Sequence, residues 1–217
     1  MGRADVGGGL GVRTLPQARA ALSREAVVAA AGRLFVEHGY VGTSVAAIAR
    51  EAGVALQTIY NAVGSKADIL SAVLDAHAQG PQAPRSVPEF MAERTSEARN
   101  GDDVVEVLAD WFVEVHERTA TVFGIIRQAA AVDPAAAALE RRRAERRRTN
   151  YLGAAAVLRR VGAVPPGRDD SDIAAAIFAL GHPDVYRTLV LDGGWSVDHY
   201  RAWLRDCLLG ALTVGAE

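Results

Sequence analysis

The chain has 217 residues, of which 50% are hydrophobic and 23% charged, with 21 glycines and 8 prolines; this suits a packed globular protein and excludes a disordered, fibrous or low-complexity one. The formal net charge is -2, which excludes a uniformly basic surface. Residues 1–77 carry 7 Lys+Arg against 6 Asp+Glu and the remainder 17 against 20, so any anion-binding surface must be local.

Residues 1–20 hold five glycines and no hydrophobic period, which predicts a mobile arm whose Arg3, Arg13 and Arg19 could brush a polyanion. Ser23 is the expected N-cap of a first helix. In that helix Val27, Ala30, Ala31, Leu34 and Phe35 form one apolar stripe, and Gly39 stands where a left-handed cap is wanted. Thr43 or Ser44 caps a second helix with Val45, Ile48, Ala49 and Ala52 inward, closed by Gly53 with Val54 after it. A third helix is expected from about Ala55 to Val63, and a fourth from about Lys66 to His77 with Ile69, Leu70, Val73 and Leu74 inward.

The stretch AQGPQAPRSVP, residues 78–88, breaks the periodicity and predicts a hinge. Beyond it helices are expected over Asp102 to Thr119, Thr121 to Val132, Pro134 to Val161, Asp172 to Leu191 with a break at Gly181 or Pro183, and Val197 to Val214. No window alternates as a strand does, so the fold class is all-α. The expected organisation is an arm (1–20), a helix-turn-helix unit (21–81) and a second helical domain (82–217).

The pair of short helices hinged at Gly53 carries the functional signal. At about 100° per residue, an inward Ile59 clusters with Val63, Ala55, Leu56 and Ala62, while Gln57 and Asn61 point away, flanked by Thr58 and Tyr60. Amphipathic helices usually expose charges, yet this one exposes amides, a hydroxyl and a phenol. Paired amide bonds can read adenine, a threonine methyl can meet thymine, and Tyr60 can donate to a phosphate. The chain's one lysine, Lys66, adds a point charge, and the capped start of the second helix, at Thr43, Ser44 and Ala46, offers free N–H groups to another phosphate. Two helices joined by a glycine turn, the second turned outward, make a helix-turn-helix for the DNA major groove. The alternative on geometry alone is a tight corner within a bundle.

The segment SREAVVAAAGRLFVEHGYVGTSVAAIAREAGVALQTIYNAVGSKADILSAVL resembles the N-terminal domain of TetR-family transcriptional regulators. The matching features are the apolar first helix running into HGY, the TS cap, IAREAGV into the turn, TIY in the recognition helix and SK before the fourth helix. The resemblance implies a recognition helix from about Ala55 to Val63 in the major groove, with Tyr60 and Lys66 on phosphates. The resulting DNA-binding set is Thr43, Ser44, Ala46, Ala55, Leu56, Gln57, Thr58, Tyr60, Asn61 and Lys66. Ala55 replaces the usual serine N-cap, Leu56 a polar residue, and Ala62 and Val63 stand where aromatics are frequent. Loss of the cap weakens the helix by about 1 kcal/mol.

In the second domain, Tyr200, Trp203, Leu204, Cys207, Leu208 and Ala211 recur at helical spacing, as do Ile173, Ala176, Ile177 and Leu180. GGWSVDHYRAWL resembles the approach to the last helix of many TetR-like chains, and by that resemblance the two helices pair with their copies as a homodimer. A single intrachain core is the other reading of the same stripe. Trp111, Phe112, His116, Phe123, Ile126, Tyr151 and Phe178 offer aromatic surface for a pocket, which in the family holds a small effector. RRRAERRR, residues 141–148, spreads its arginines over more than half the helix circumference and is expected in solvent or against something acidic, with the ladder Asp102, Glu106, Asp110 and Glu114 a possible partner.

An enzyme is the rival class. There is no phosphate loop, dinucleotide fingerprint, Cys-x-x-Cys pair or Gly-x-Ser-x-Gly elbow. His38, His77, His116, His182 and His199 lack partners at helical spacing, and neither metal nor cofactor is expected. Cys207, the single cysteine, has no second thiol to pair with. No 18-residue apolar run could span a membrane, and the N-terminus lacks the apolar core of a secretory signal, so a cytoplasmic protein is expected. The expected function is a dimeric, ligand-responsive regulator, a repressor by family inference, on a palindromic double-stranded DNA operator. The alternative is a helical protein-interaction module that does not bind DNA.

Overall fold

The computed structural model describes residues 15–78 and 87–213, and all regular structure among them is helical: α1 (Leu15–Gly42), α2 (Val45–Ala52), α3 (Leu56–Ala62), α4 (Lys66–Ala78), α5 (Val87–Arg94), α6 (Gly101–Ala130), α7 (Pro134–Arg160), α8 (Asp170–Leu180), α9 (Pro183–Tyr186), a π-helical turn at Arg187–Asp192, and α10 (Val197–Leu212). None of these helices is long and apolar enough to cross a membrane.

Where helices begin and end follows local chemistry. Ser44 accepts from the Ala47 N–H at 3.0 Å and so caps α2. Gly53 ends that helix in the left-handed conformation (φ 67°), and the Val54 N–H returns to the Ala49 carbonyl at 3.0 Å. Gly39 breaks α1 near its end with φ 68°, as its place in the sequence predicts. Asn100, Asp133, Asp169 and Ser196 each accept from a first-turn N–H of the helix they precede.

Several expectations are corrected. Helix α1 starts at Leu15, ahead of Ser23, because the alanine-rich Ala18–Leu22 stretch favours helix without needing a cap. Arg19 therefore lies on a helix, exposed, while Arg3, Arg13 and the rest of the expected arm fall outside the described residues. So does most of the expected hinge, residues 79–86. Val87–Arg94, left unassigned in the sequence, is helical and buries Met91. The two helices expected on either side of Ala120 are one, since the Thr119 hydroxyl bonds the Val115 carbonyl at 2.6 Å and the ladder passes through.

Two apolar clusters organise the molecule. One gathers Met91, Phe112, Tyr151, Leu158, Ile173, Ile177 and the Tyr200–Leu204–Leu208–Leu212 row; the other gathers Val27, Phe35, Ile48, Ile59, Leu70 and Val73 with Ile126, Ala136 and Leu139. The second cluster shows that α1–α4 are seated on the far end of α6 and the start of α7. Polar contacts fix the same seat. The Tyr40 hydroxyl donates to Asp133 at 2.5 Å, and Arg143 of α7 meets Asp75 at 2.6 Å and the Ser71 hydroxyl at 2.7 Å.

The acidic ladder does not meet the arginine run. Arg201 of α10 bonds Glu106 at 2.7 Å and Asp110 at 2.6 Å, Arg205 bonds Glu106 as well, and Glu114 is held by Arg94 at 3.1 Å. These pairs hold Glu106 below the usual carboxylate range, the Arg205 bond contributing most.

Candidate functional site

Helix α3 is held from behind by one residue. Ile59 is fully buried, and the Arg24 side chain of α1 donates to the Ala62 carbonyl at the helix C-terminus, 3.2 Å away. With the back fixed, the front is determined: Gln57 and Asn61 are exposed, Tyr60 is 50% exposed and Thr58 half-exposed. The Gln57 amide donates to Asn61 at 3.0 Å, so the two side chains stand together as one polar patch four residues apart. No charge belongs to this face, and its donors and acceptors are of the kind that can meet base edges.

The neighbouring residues divide. Ser44 and Ala46 are exposed at the start of α2, where the capped turn leaves N–H groups available to an anion. Thr43 is a correction: it is 1% exposed, with its hydroxyl 2.8 Å from the Gly39 carbonyl and 3.0 Å from that of Leu34. It closes the turn after α1 and has nothing left for DNA. Ala55 is exposed and leaves α3 without a side-chain cap. Leu56, placed near the inward cluster by the helical wheel, is 44% exposed; it is the first residue of a helix of seven whose one buried residue is Ile59.

Lys66 is not a free cation. Its ammonium sits 4.2 Å from the centre of the Tyr40 ring, and burial lowers its pKa, partly offset by the Asp133 charge. Tyr40 in turn is bonded to Asp133. A chain of contacts therefore runs from the start of α4, beside the candidate surface, to the α6–α7 turn. Residues 40 and 133 are too far apart in sequence for any local pattern to reveal this pairing.

The residues proposed from sequence for an effector pocket do not all converge. Phe112 stacks on His116 at 5.6 Å and meets the edge of Tyr151 at 5.7 Å. Phe123 and Phe178 both lie under the Arg147 guanidinium. Trp111 instead packs on Phe90 of α5 at 4.9 Å, and Ile126 belongs to the cluster under α1–α4. An open groove of about 1040 Å³ lies elsewhere, between α1 and α4, lined by Arg24, Glu25, Arg33, Glu37 and Asp75 among others.

The arginine run is likewise divided between solvent and an acid, though the acid is Asp75 and not the expected ladder. Arg141, Arg142, Arg146 and Arg148 are exposed. Arg143 and Arg147, one turn apart on the inner face, turn inward to Asp75 and to the two phenylalanine rings.

Of the residues expected at a dimer interface, Ile173, Ile177, Tyr200, Leu204 and Leu208 are fully buried within the chain. They leave no surface for a partner, because α10 packs on α6 and α8, and α8 on α7, to close the core. An apolar stripe reports burial and does not say against what. Leu180, Trp203, Cys207 and Ala211, on the flank of the same helices, remain partly exposed.

Among the described residues no group of His, Cys, Asp and Glu is arranged to hold a metal ion.

Residues 27–73 match the family described as bacterial regulatory proteins of the tetR family. No curated protein matches the chain in sequence. Solved structures match over nearly its whole length. Native NalD of Pseudomonas aeruginosa, the secondary repressor of the MexAB-OprM multidrug efflux pump, is 20% identical with a TM-score of 0.69, covering 89% of this chain and 98% of its own. A protein of Mesorhizobium loti assigned to the TetR-family regulators is 20% identical with a TM-score of 0.67, over 90% and 99%. A protein of Saccharomonospora viridis assigned as a transcriptional regulator and solved with choline is 21% identical with a TM-score of 0.62, over 90% and 100%. At such identities the structural likeness establishes the fold. The chain is thus TetR-like: residues 27–73 carry the family's helix-turn-helix segment, and the described chain has the fold of TetR-family transcriptional regulators.

Proposed function

We propose that the protein is a sequence-specific DNA-binding transcriptional regulator, a repressor that binds a palindromic operator as a homodimer and is released by a small-molecule effector. One observation carries the reading: α3 turns an uncharged polar face, Gln57 and Asn61 flanked by Tyr60, outward from a helix locked by Ile59. The capped start of α2 lies across the Gly53 turn and supplies N–H groups for a phosphate, as a helix-turn-helix requires.

A helix as short as α3 reads few base pairs, and two-fold symmetry doubles the contacts. The flank formed by Leu180, Trp203, Cys207 and Ala211 is the surface we assign to self-association. The choline complex of the Saccharomonospora viridis protein supports a small-molecule ligand as part of the same reading.

Selection of bound sequences from a random duplex pool by the purified protein tests this. The expected product is a palindrome with half-sites about one helical turn apart, bound with a log affinity that falls linearly as log salt rises. A protein-interaction module would enrich no sequence, and that outcome would overturn the reading.

A further inference from the structure

The strongest unexplained feature of the second domain is Arg147. Its guanidinium carbon lies 4.5 Å from the centre of the Phe123 ring and 5.5 Å from that of Phe178, so an α7 cation lies over aromatic rings of both α6 and α8. Among the described residues no carboxylate comes within ion-pair distance of it. Two acids, Glu140 and Asp184, act on it through space without bonding it, and Asp184 is engaged by Arg127 and Arg187. A guanidinium drawn out of water normally has an anion beside it, because burial of an unpaired charge is costly.

Two histidines deepen the imbalance. His116 is 3% exposed and its Nδ1 has no hydrogen-bond partner. His182 accepts the Asp184 N–H on its Nδ1 at 3.2 Å, which leaves its proton on Nε2 as a donor. Burial first, then repulsion from Arg147, lowers the pKa of both, that of His116 to about 3. One fixed cation, one histidine donor and one orphaned imidazole nitrogen therefore lie near each other among aromatic rings, and the Asp184 carboxylate, 3.4 Å from the His182 Nδ1, is itself shared with Arg127 and Arg187.

We propose that this site binds an organic carboxylate, its anionic head on the Arg147 guanidinium and its apolar body against the rings of Phe123, Phe178 and Phe112. The planar guanidinium fork matches a carboxylate in two parallel hydrogen bonds. A cationic ligand is excluded by the same charge. The proposal rests on the reading of the protein as a ligand-responsive regulator and names the chemistry of its effector.

The test uses the full chain and measures thermal stabilisation and calorimetric binding with sodium benzoate and sodium octanoate, against benzamide, octanamide and choline. The carboxylates are expected to raise the melting temperature, and the neutral amides and choline to leave it unchanged. Arg147→Met should weaken carboxylate binding by about tenfold or more, whereas Arg146→Met, an exposed arginine on the same helix, should not weaken it. The ligand-free melting temperature of Arg147→Met should equal or exceed that of the natural chain, since an unpaired cation has been replaced by an apolar side chain. Equal effects of acids and amides, no effect of either, or unaltered carboxylate binding by Arg147→Met would overturn the proposal. Selection on random duplexes, run in parallel on the natural chain, separates the two readings: enrichment without carboxylate binding refutes the ligand chemistry alone, and absence of enrichment refutes the regulator.

Discussion

Tyr40→Phe isolates the link between the helix-turn-helix unit and the α6–α7 turn. Tyr40 is 4% exposed, so phenylalanine keeps the ring in the core, the stack on Phe35 at 5.7 Å and the face under Lys66. Only the hydroxyl's bond to Asp133 is lost. A hydrogen bond to a charged group contributes about 1.5–3 kcal/mol. The lower end applies, because Asp133 is only half-buried and water can replace the phenol, while its other oxygen keeps the Ala135 N–H.

A loss of about 1.5 kcal/mol lowers the melting temperature of a chain this size by about 3–6 °C, measurable by circular dichroism or calorimetry. The bond to Tyr40 is the main cause holding the Asp133 carboxyl below its ordinary value of 3.8. Its stabilising contribution is therefore complete above that value and disappears as pH falls through the lower folded-state value. The deficit of the variant should accordingly be full at pH 7 and shrink at pH 3. In an Asp133→Ala background the same substitution should cost no more than a few tenths of a kcal/mol. An equal loss in both backgrounds, or none in either, would refute the argument.

Two further substitutions test the local reasoning. Ala55→Ser supplies the cap that α3 lacks and should stabilise the chain by about 1 kcal/mol; unchanged denaturant midpoints would show that the first turn needs no cap. Gly181→Ala places a Cβ 2.5 Å from Cε2 of Phe112 and closer still to Cζ and Cε1. Phe112 is fully buried and cannot withdraw, so the variant should lose about 1–3 kcal/mol, part of it recovered by adding Phe112→Leu. Because the Gly181 backbone (φ -86°) suits any residue, a stabilised variant would mean that the ring has room to move.

What the sequence made legible was local. Ser44, Gly53 and Val54 mark the turn by cap, left-handed glycine and hydrophobic contact, and the wheel around Ile59 placed Gln57 and Asn61 outward because α3 has a single buried anchor. What it hid was relational. The stripe through Tyr200, Leu204 and Leu208 has the same period whether it faces a partner or its own core. Likewise the arginine run gave no sign that Arg143 and Arg147 would turn inward, since a helix-wide charge pattern names no neighbour. Tyr40 and Asp133 meet only because α1 is seated on the α6–α7 turn. Between Thr43 and Ser44, which the sequence offers equally as the cap of α2, the choice falls on Ser44 because the Thr43 hydroxyl is taken by the preceding turn.

Equilibrium binding of the selected duplex to the natural chain and to Gln57→Ala/Asn61→Ala, followed by fluorescence anisotropy at several salt concentrations, tests the central claim most directly. Both side chains are exposed, so the variant should melt within about 0.5 kcal/mol of the natural chain. It should lose about tenfold or more in affinity for the selected site, with its residual binding to random duplex unaltered. Equal affinity of the two proteins for the selected duplex would contradict the account.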